Sequence, residues 1–302
     1  MFESLFAKRG ISLERLHALV AINQSGSIVG AAPGNPIRNS QNSRQLRELA
    51  EYFGCELAER RGKSVRLTDE GKHLALMTRD YLRALEDFQA TCAQRHITYT
   101  IGGGDSLIQW LVIPRIASIV DSIPHIRLST ASLRTSAIVE QVLESRIDLG
   151  LVRKTAVRPG LKSAVVGKLT YCVVIPHALL AGKAAPSIRD LFRHFPMAMQ
   201  VSDGEFSNTL NAIATKFAPD FRPALACQSL PQVLAAVRSR RFAAVLPELA
   251  TADIPSNAVL TLRGDDLNPL RRDLHLIWNR RVASVRPHAA ELIQQCQQVF
   301  QF

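Results

Sequence analysis

Between Gly26 and Pro36 the chain meets backbone breakers so often that only a short helix and tight turns can form there. Ser12 is placed to cap a first helix running to about residue 25. Glu14 sits in its first turn, and Leu13, Leu16, Leu19 and Val20 fall at helical spacing. Gly26 stops that helix. Ser27 can cap a second one, "IVGAA", which Pro33 and Gly34 halt. After Pro36 and a lone apolar anchor, Ile37, a third helix is expected from about Ser40 to Phe53, with Gly54 as its stop. "LAERRGKSVRLT" then alternates polar and apolar around Gly62. It reads as a small hairpin with Arg60, Arg61 and Lys63 near the tip and Arg66 on the return strand.

The third helix carries the chemistry. Leu46, Leu49 and Phe53 form a core-facing stripe in line with position 42. The opposite face collects Ser40, Arg44, Arg47 and Glu51, flanked by Gln41 and Ser43, with Arg38 and Asn39 just ahead. Amide and guanidinium groups match base edges in a major groove, and hydroxyls and helix N–H groups match phosphates. For this helix alone, a solvated amphipathic face is the plainer alternative. A helix, a short helix, a basic helix and an arginine-rich hairpin in about 55 residues together make the winged helix-turn-helix plan.

Composition fits that plan without locating it. The 302 residues can bury a core in two or more domains, and 47% hydrophobic with 21% charged is ordinary for a globular chain. The formal charge of +11 favours an anionic partner. Residues 1–95, however, hold 14 basic against 11 acidic residues, so most of the excess lies further on. No apolar run is long enough to span a bilayer, and the N-terminus does not read as a secretory signal. Five scattered cysteines suit free thiols in the cytoplasm. A redox pair of Cys172 and Cys227 is the less favoured reading. The eight histidines lack metal-ligand spacing, so neither metal nor other cofactor is expected.

Thr68 is placed to cap a long helix over about 69–92, in which Leu74, Met77, Tyr81, Leu85 and Phe88 recur as one apolar seam. A seam of this length between globular segments points to pairing with a second copy, in a homodimer or tetramer. From residue 97 strands and helices alternate: "ITYTIGG", "IRLSTA", "DLGLV", Leu161–Val166, Thr170–Ile175, Met197–Val201, Ala224–Cys227, Phe242–Leu246 and "DLHLIW" read as strands. The expected organisation is an α/β chain: a winged helix-turn-helix over 1–68, a linker helix over 69–95, and a C-terminal domain over 96–302. Its first subdomain takes about 96–160 and 267–302, and its second about 161–266.

"IGGGDSL" tests an enzymatic reading. The glycines lack GxGxxG spacing. Gly104-Asp105-Ser106-Leu107 looks like the nucleophile block of GDSL-type esterases. The DxxH that would supply the base is missing, since Asp273-Leu274-His275 and Asp190 to His194 have other spacings. Binding fits better than catalysis, because ligands of open α/β units sit beyond the carboxyl ends of the strands. Asp105 and Ser106 lie there after the first strand, as do Ser132, Arg134 and Thr135 after the second. Ser202, Asp203 and Gln228 hold the same place in the second unit.

Taken in order, "SGSIVGAA", "SRQLREL" and "YFGCELAERRGKSVRLTDEGK" resemble the DNA-binding domain of LysR-type transcriptional regulators, without a gap from Leu13 to Lys72. "IPRIASIVDSIPHIRLS", "VLESRIDLGLV" and "VRSRRFAAVLPELA" look like that family's effector domain. The resemblance implies a regulator of double-stranded DNA, with Arg44 and Arg47 at the groove and Arg61 and Lys63 on adjacent phosphates. It also implies a periplasmic-binding-protein-like C-terminal domain, with a small, often anionic, effector between its two subdomains. Asn35 and Asn42 depart from the family, which carries apolar residues there, and Ala58 stands where a large apolar side chain is usual. A destabilised domain or a turn rebuilt around Pro33 and Pro36 is the expected consequence.

Overall fold

The computed structural model describes residues 2–61, 64–180 and 184–302. These form two compact units. The first comprises the chain up to Arg95 together with Ser284–Pro287, and the second comprises His96–Ala283 and His288–Phe302.

In the first unit a short helix α1 (Glu3–Phe6) precedes α2 (Leu13–Ser25), α3 (Ile28–Ala31) and α4 (Pro36–Phe53). The Ser12 hydroxyl accepts from Arg15 N–H and the Ser27 hydroxyl from Gly30 N–H, each satisfying a donor the helix start leaves free. Helix α4 begins four residues before the expected Ser40. Asn35 Oδ1 accepts from Arg38 N–H at 3.0 Å, and Pro36 occupies the first helical position, where its missing N–H costs nothing. Pro36 therefore starts the helix instead of breaking the chain. Ile37 is 83% exposed and anchors nothing within the unit.

Strands β1 (Ala58–Arg61) and β2 (Ser64–Leu67) pair antiparallel from Ala58↔Leu67 to Arg61↔Ser64. Helix α5 (Asp69–Cys92) follows, capped by Thr68, whose hydroxyl accepts from Gly71 N–H. A side chain at Gly71 would begin 2.1 Å from the Leu57 carbonyl oxygen, so glycine alone lets α5 start against the hairpin. Leu16, Leu19, Ile22, Ile28, Leu46, Leu49, Leu57, Leu67 and Ala75 form the core. Phe53, expected in that stripe, stays 37% exposed at its rim.

The second unit holds two lobes. In the first, β3 (Ile97–Gly103) pairs parallel with β4 (Ile126–Ser132) and β5 (Leu149–Arg153). The sheet order is β4-β3-β5, then the late strand of residues 272–279, then β6 (Leu161–Leu169) at the edge. The subdomain boundary expected at 161 thus moves to about 170, because β6 runs antiparallel to the late strand within the first sheet. Between β3 and β4 the chain is not one helix. It passes through α6 (Asp105–Leu107), a π-helical turn over Ile108–Val112, a 3₁₀ turn over Ile113–Arg115 and α7 (Ile116–Ser122). Helix α8 (Thr135–Leu143) packs Ile138, Val139 and Val142 on this sheet.

In the second lobe β7 (Tyr171–Pro176) leads through α9 (His177–Leu180) and α10 (Ile188–His194) to β8 (Ala198–Gln200). Then come α11 (Glu205–Phe217), β9 (Leu225–Cys227), α12 (Leu230–Arg238), β10 (Ala244–Pro247) and β11 (Val259–Leu262). Strand β11 lies outside the strands expected from sequence. β7 is central between β10 and β11, β8 pairs with β9, and a Met197↔Ala243 bridge joins the two pieces. The 3₁₀ turn Asp265–Leu270 packs Leu267 and Leu270 into this second core. β12 (Arg272–Asn279) then returns to the first lobe, followed by α13 (Arg280–Val285) and α14 (Ala289–Val299). Trp110, from the π-helical turn of the first lobe, is buried among Cys172, Val174, Leu230 and Leu234 of the second, and its Nε1 donates to Asp253 Oδ2 at 3.0 Å.

Candidate functional site

The first unit presents helix α4 with two faces. At 100° per residue, Ile37, Ser40, Gln41 and Arg44 share one side, all exposed, while Asn42, Leu46 and Leu49 face the core. Arg38 and Arg47 are exposed on the flanks, and Ser43 and Asn39 are half-buried. Asn39 Oδ1 is buried without a hydrogen-bond partner. Glu48 accepts from Arg15 Nε at 2.6 Å, bracing α2 against α4, and lies 3.6 Å from Arg44 Nε. Arg47 lines a groove of about 500 Å³ with Ser43, Glu51, Glu56, Ala58 and Val65. The short Ala58 side chain helps leave that groove open. Arg60 and Arg66 of the hairpin are exposed, Arg61 is a strand residue opposite Ser64, and Lys63 lies outside the described residues.

On α5, Met77, Tyr81, Leu85 and Phe88 are exposed and share one face, with Phe88 at 67%. Leu74 differs: it is half-buried and packs on the core of the first unit.

The second unit contains a cleft of about 740 Å³ between its lobes, lined by Asp105, Ser106, Ser132, Arg134, Thr135, Ser202, Asp203 and Gln228. All eight come from carboxyl ends of strands or the turns after them. Ser132 Oγ donates to Asp105 Oδ1, and Arg134 Nη1 reaches across to Asp203 Oδ2 at 2.9 Å. Ser202 Oγ lies 2.9 Å from Ser207 Oγ. Gln200 Nε2 donates to the Gln228 carbonyl at 3.2 Å.

Sequence reasoning missed Arg153, Tyr171, Glu205 and Phe206, which also line the cleft. Glu205 forms ion pairs with Arg153 Nε at 2.7 Å and Arg272 Nη2 at 2.9 Å, linking the start of α11 to the end of β5 and the start of β12. Tyr171 stacks on Phe206 with centroids 4.9 Å apart, and burial pushes its phenol above the ordinary value. Of the four, Tyr171 stands at the 169–171 crossover, whereas Arg153 ends β5 and Glu205 and Phe206 open α11, away from either crossover in the chain. Two guanidiniums and three carboxylates thus face the cleft, a mixed lining and not a plain anion site.

No histidine bonds Ser106 within this cleft, and no group of three metal-ligating side chains occurs among the described residues. Cys172 lies on β7 and Cys227 on β9, separated in the sheet order by β10 and β8. At about 4.8 Å per strand that separation is too wide for a disulfide. Burial also pushes the Cys172 thiol up to about 12. No described helix is long and apolar enough to cross a membrane.

Two family models match this chain: "Bacterial regulatory helix-turn-helix protein, lysR family" over residues 13–72 and "LysR substrate binding domain" over 93–301. The uncharacterized HTH-type transcriptional regulator YnfL of Escherichia coli is 27% identical over 55% of this chain and 58% of its own length. The HTH-type transcriptional regulator BenM of Acinetobacter baylyi is 28% identical over 52% of each. The match therefore spans little more than half the length of these relatives. The full-length regulator LysG of Corynebacterium glutamicum, solved with bound effector Arg, superposes with a TM-score of 0.67 at 16% identity, covering 96% of this chain and 98% of that one. A full-length OxyR variant of Pseudomonas aeruginosa gives 0.65 at 14% identity, covering 97% and 95%. With both models matched in order, the second over more than half its residues, the chain belongs to the LysR family of bacterial transcriptional regulators.

Proposed function

We propose that this protein binds an operator in double-stranded DNA through α4 and the β1–β2 wing, as a homodimer or tetramer, and that a small polar effector in the second unit's cleft changes that binding. The observation that carries the reading is the exposed row Ser40, Gln41 and Arg44 with Arg38 and Arg47 beside it, on a helix fixed by its Asn35 cap. Groove-facing amide and guanidinium groups read bases, and the flanking cations hold phosphates. Arg61 and Lys63 of the wing take the adjacent phosphates in this reading. CbnR, a LysR-family regulator of the same fold (TM-score 0.52, 16% identity, 96% of this chain and all of that one), is solved with its target DNA, which supports the assignment by analogy.

The exposed stripe Met77, Tyr81, Leu85 and Phe88 supports pairing of two copies along α5. In the cleft, Asp203 already occupies Arg134, so an acidic effector takes that guanidinium by displacing Asp203. The protein acts by binding, without catalysis, in the cytoplasm. Footprinting of the purified chain on its own upstream region, with and without candidate metabolites, tests this reading. A discrete protected site whose boundaries or affinity respond to a metabolite is expected. Protection spread evenly over all sequences would overturn it.

A further inference from the structure

We propose that Ile37 is a base-reading residue whose side chain meets the C5-methyl group of a thymine in the major groove. The inference rests on the DNA-binding reading above and adds a specificity determinant to it. Ile37 is 83% exposed, whereas the other large apolar residues of α4 are buried or at the rim of the core. Such exposure on a rigid element leaves apolar surface without cover unless a partner supplies it.

The geometry names the partner. Gln41 stands four residues on and Arg44 seven residues on, so Ile37 continues their row within about 40° around the helix axis. The early start of α4, through the Asn35 cap and Pro36 at the first position, fixes Ile37 on helix ahead of Ser40 instead of leaving it in a loop. Its branched Cβ holds one preferred side-chain rotamer in a helix, so the contact surface is preorganised. The rest of the row is hydroxyl, amide and guanidinium, which is poor cover for an apolar protein patch but complementary to a groove walled by phosphates. The apolar group such a groove offers is the thymine methyl.

The experiment begins by enriching bound duplexes from a random pool with the full chain. Each thymine of the enriched site is then replaced singly by deoxyuridine, which removes only the methyl group, and affinities are read by fluorescence anisotropy. For the wild type, one or two positions per half-site should weaken binding by about 3- to 10-fold, the scale of one buried methyl-sized group. Ile37→Ala should lose a similar factor on the thymine duplex and become indifferent to deoxyuridine at those positions, with Ile37→Val between. The salt dependence should stay unchanged, because no phosphate contact is removed.

Methyl sensitivity that persists undiminished in Ile37→Ala, or is absent from the wild type, overturns the proposal and leaves the regulator reading standing. A pool in which no sequence is enriched overturns the regulator reading itself. Sedimentation of the same variants covers the remaining occupant: weakened self-association with unchanged DNA affinity assigns Ile37 to a second copy and also overturns the proposal. Thermal melts matching the wild type confirm that each variant is folded. If Ile37→Ala melts early, Ile37→Val carries the comparison.

Discussion

Arg286 holds Asp87 of helix α5 through two parallel hydrogen bonds, Nε to Oδ2 at 2.6 Å and Nη2 to Oδ1 at 3.0 Å, with the side chains only 5% and 9% exposed. Arg286 belongs to Ser284–Pro287, the late segment that packs with the first unit. Asp87→Ala takes the carboxylate from a buried guanidinium and should cost about 3–5 kcal/mol. The double replacement Asp87→Leu with Arg286→Met should recover most of that loss, because it removes both charges. Urea unfolding followed by circular dichroism measures both. A single variant as stable as the wild type would show that the pair contributes nothing.

Asn42 is 8% exposed, faces the core with Leu46 and Leu49, and makes no side-chain hydrogen bond to any described residue. Its amide atoms are not fully enclosed, so holding them at the edge of the core costs about 1 kcal/mol, the low end of the range for an unpartnered amide. Asn42→Leu should therefore raise the melting temperature by several degrees. An unchanged or lower melting temperature would mean that the site has adapted to the amide.

The two asparagines show what sequence could and could not deliver. Ser12, Ser27 and Thr68 cap helices where their spacing predicts, because capping needs only a hydroxyl and a free N–H three residues on. Asn35 does the same work, yet Pro36 reads as a breaker when it is a helix starter. That one misreading delays α4 to Ser40 and turns Ile37 into an anchor. The eight residues expected beyond strand ends line one cleft, because strand ends are local features. The Arg153–Glu205 ion pair is not legible in the same way, since it depends on how the two lobes meet. The same holds for β6, whose place in the first sheet is decided by a strand that begins 103 residues after its own last residue. The π-helical turn at Ile108–Val112 has no counterpart in apolar spacing, and half-buried β11 shows no alternation.

Arg44 is exposed on the groove face, with one loose ion pair to Glu48 at 3.6 Å. Arg44→Ala should abolish operator binding in a gel-shift assay while the sedimentation coefficient stays that of the wild type. Operator affinity equal to the wild type would reject α4 as the reading helix.

The apolar stripe of α5 is tested at its most exposed member. Phe88→Asp places a charge where a second copy is expected to pack, and should shift the oligomer toward monomer in sedimentation velocity. A variant that sediments unchanged would move the interface elsewhere.

His275, on β12, is buried with neither ring nitrogen hydrogen-bonded. Burial, and secondarily Lys154, lowers its pKa below the ordinary 6.5, while Asp273 opposes the shift. The folded protein thus binds this proton less readily than the unfolded chain. The resulting stability is fully present above 6.5, declines as the pH falls below it, and levels off beneath the lowered folded value. Thermal melts between pH 8 and the onset of carboxylate titration should show that decline, and His275→Leu should flatten it. Identical slopes in both proteins would assign the decline to other groups.

The chain has two tryptophans, Trp110 and Trp278, and both lie in the second unit. Trp110 starts from the first lobe and ends in the core of the second, hydrogen-bonded to Asp253. Any ligand that spreads or tightens the lobes alters the packing and polarity around that indole. The protein therefore carries its own optical gauge: tryptophan emission, excited where tyrosine does not absorb, reports the state of the cleft and is silent to events confined to the winged helix-turn-helix.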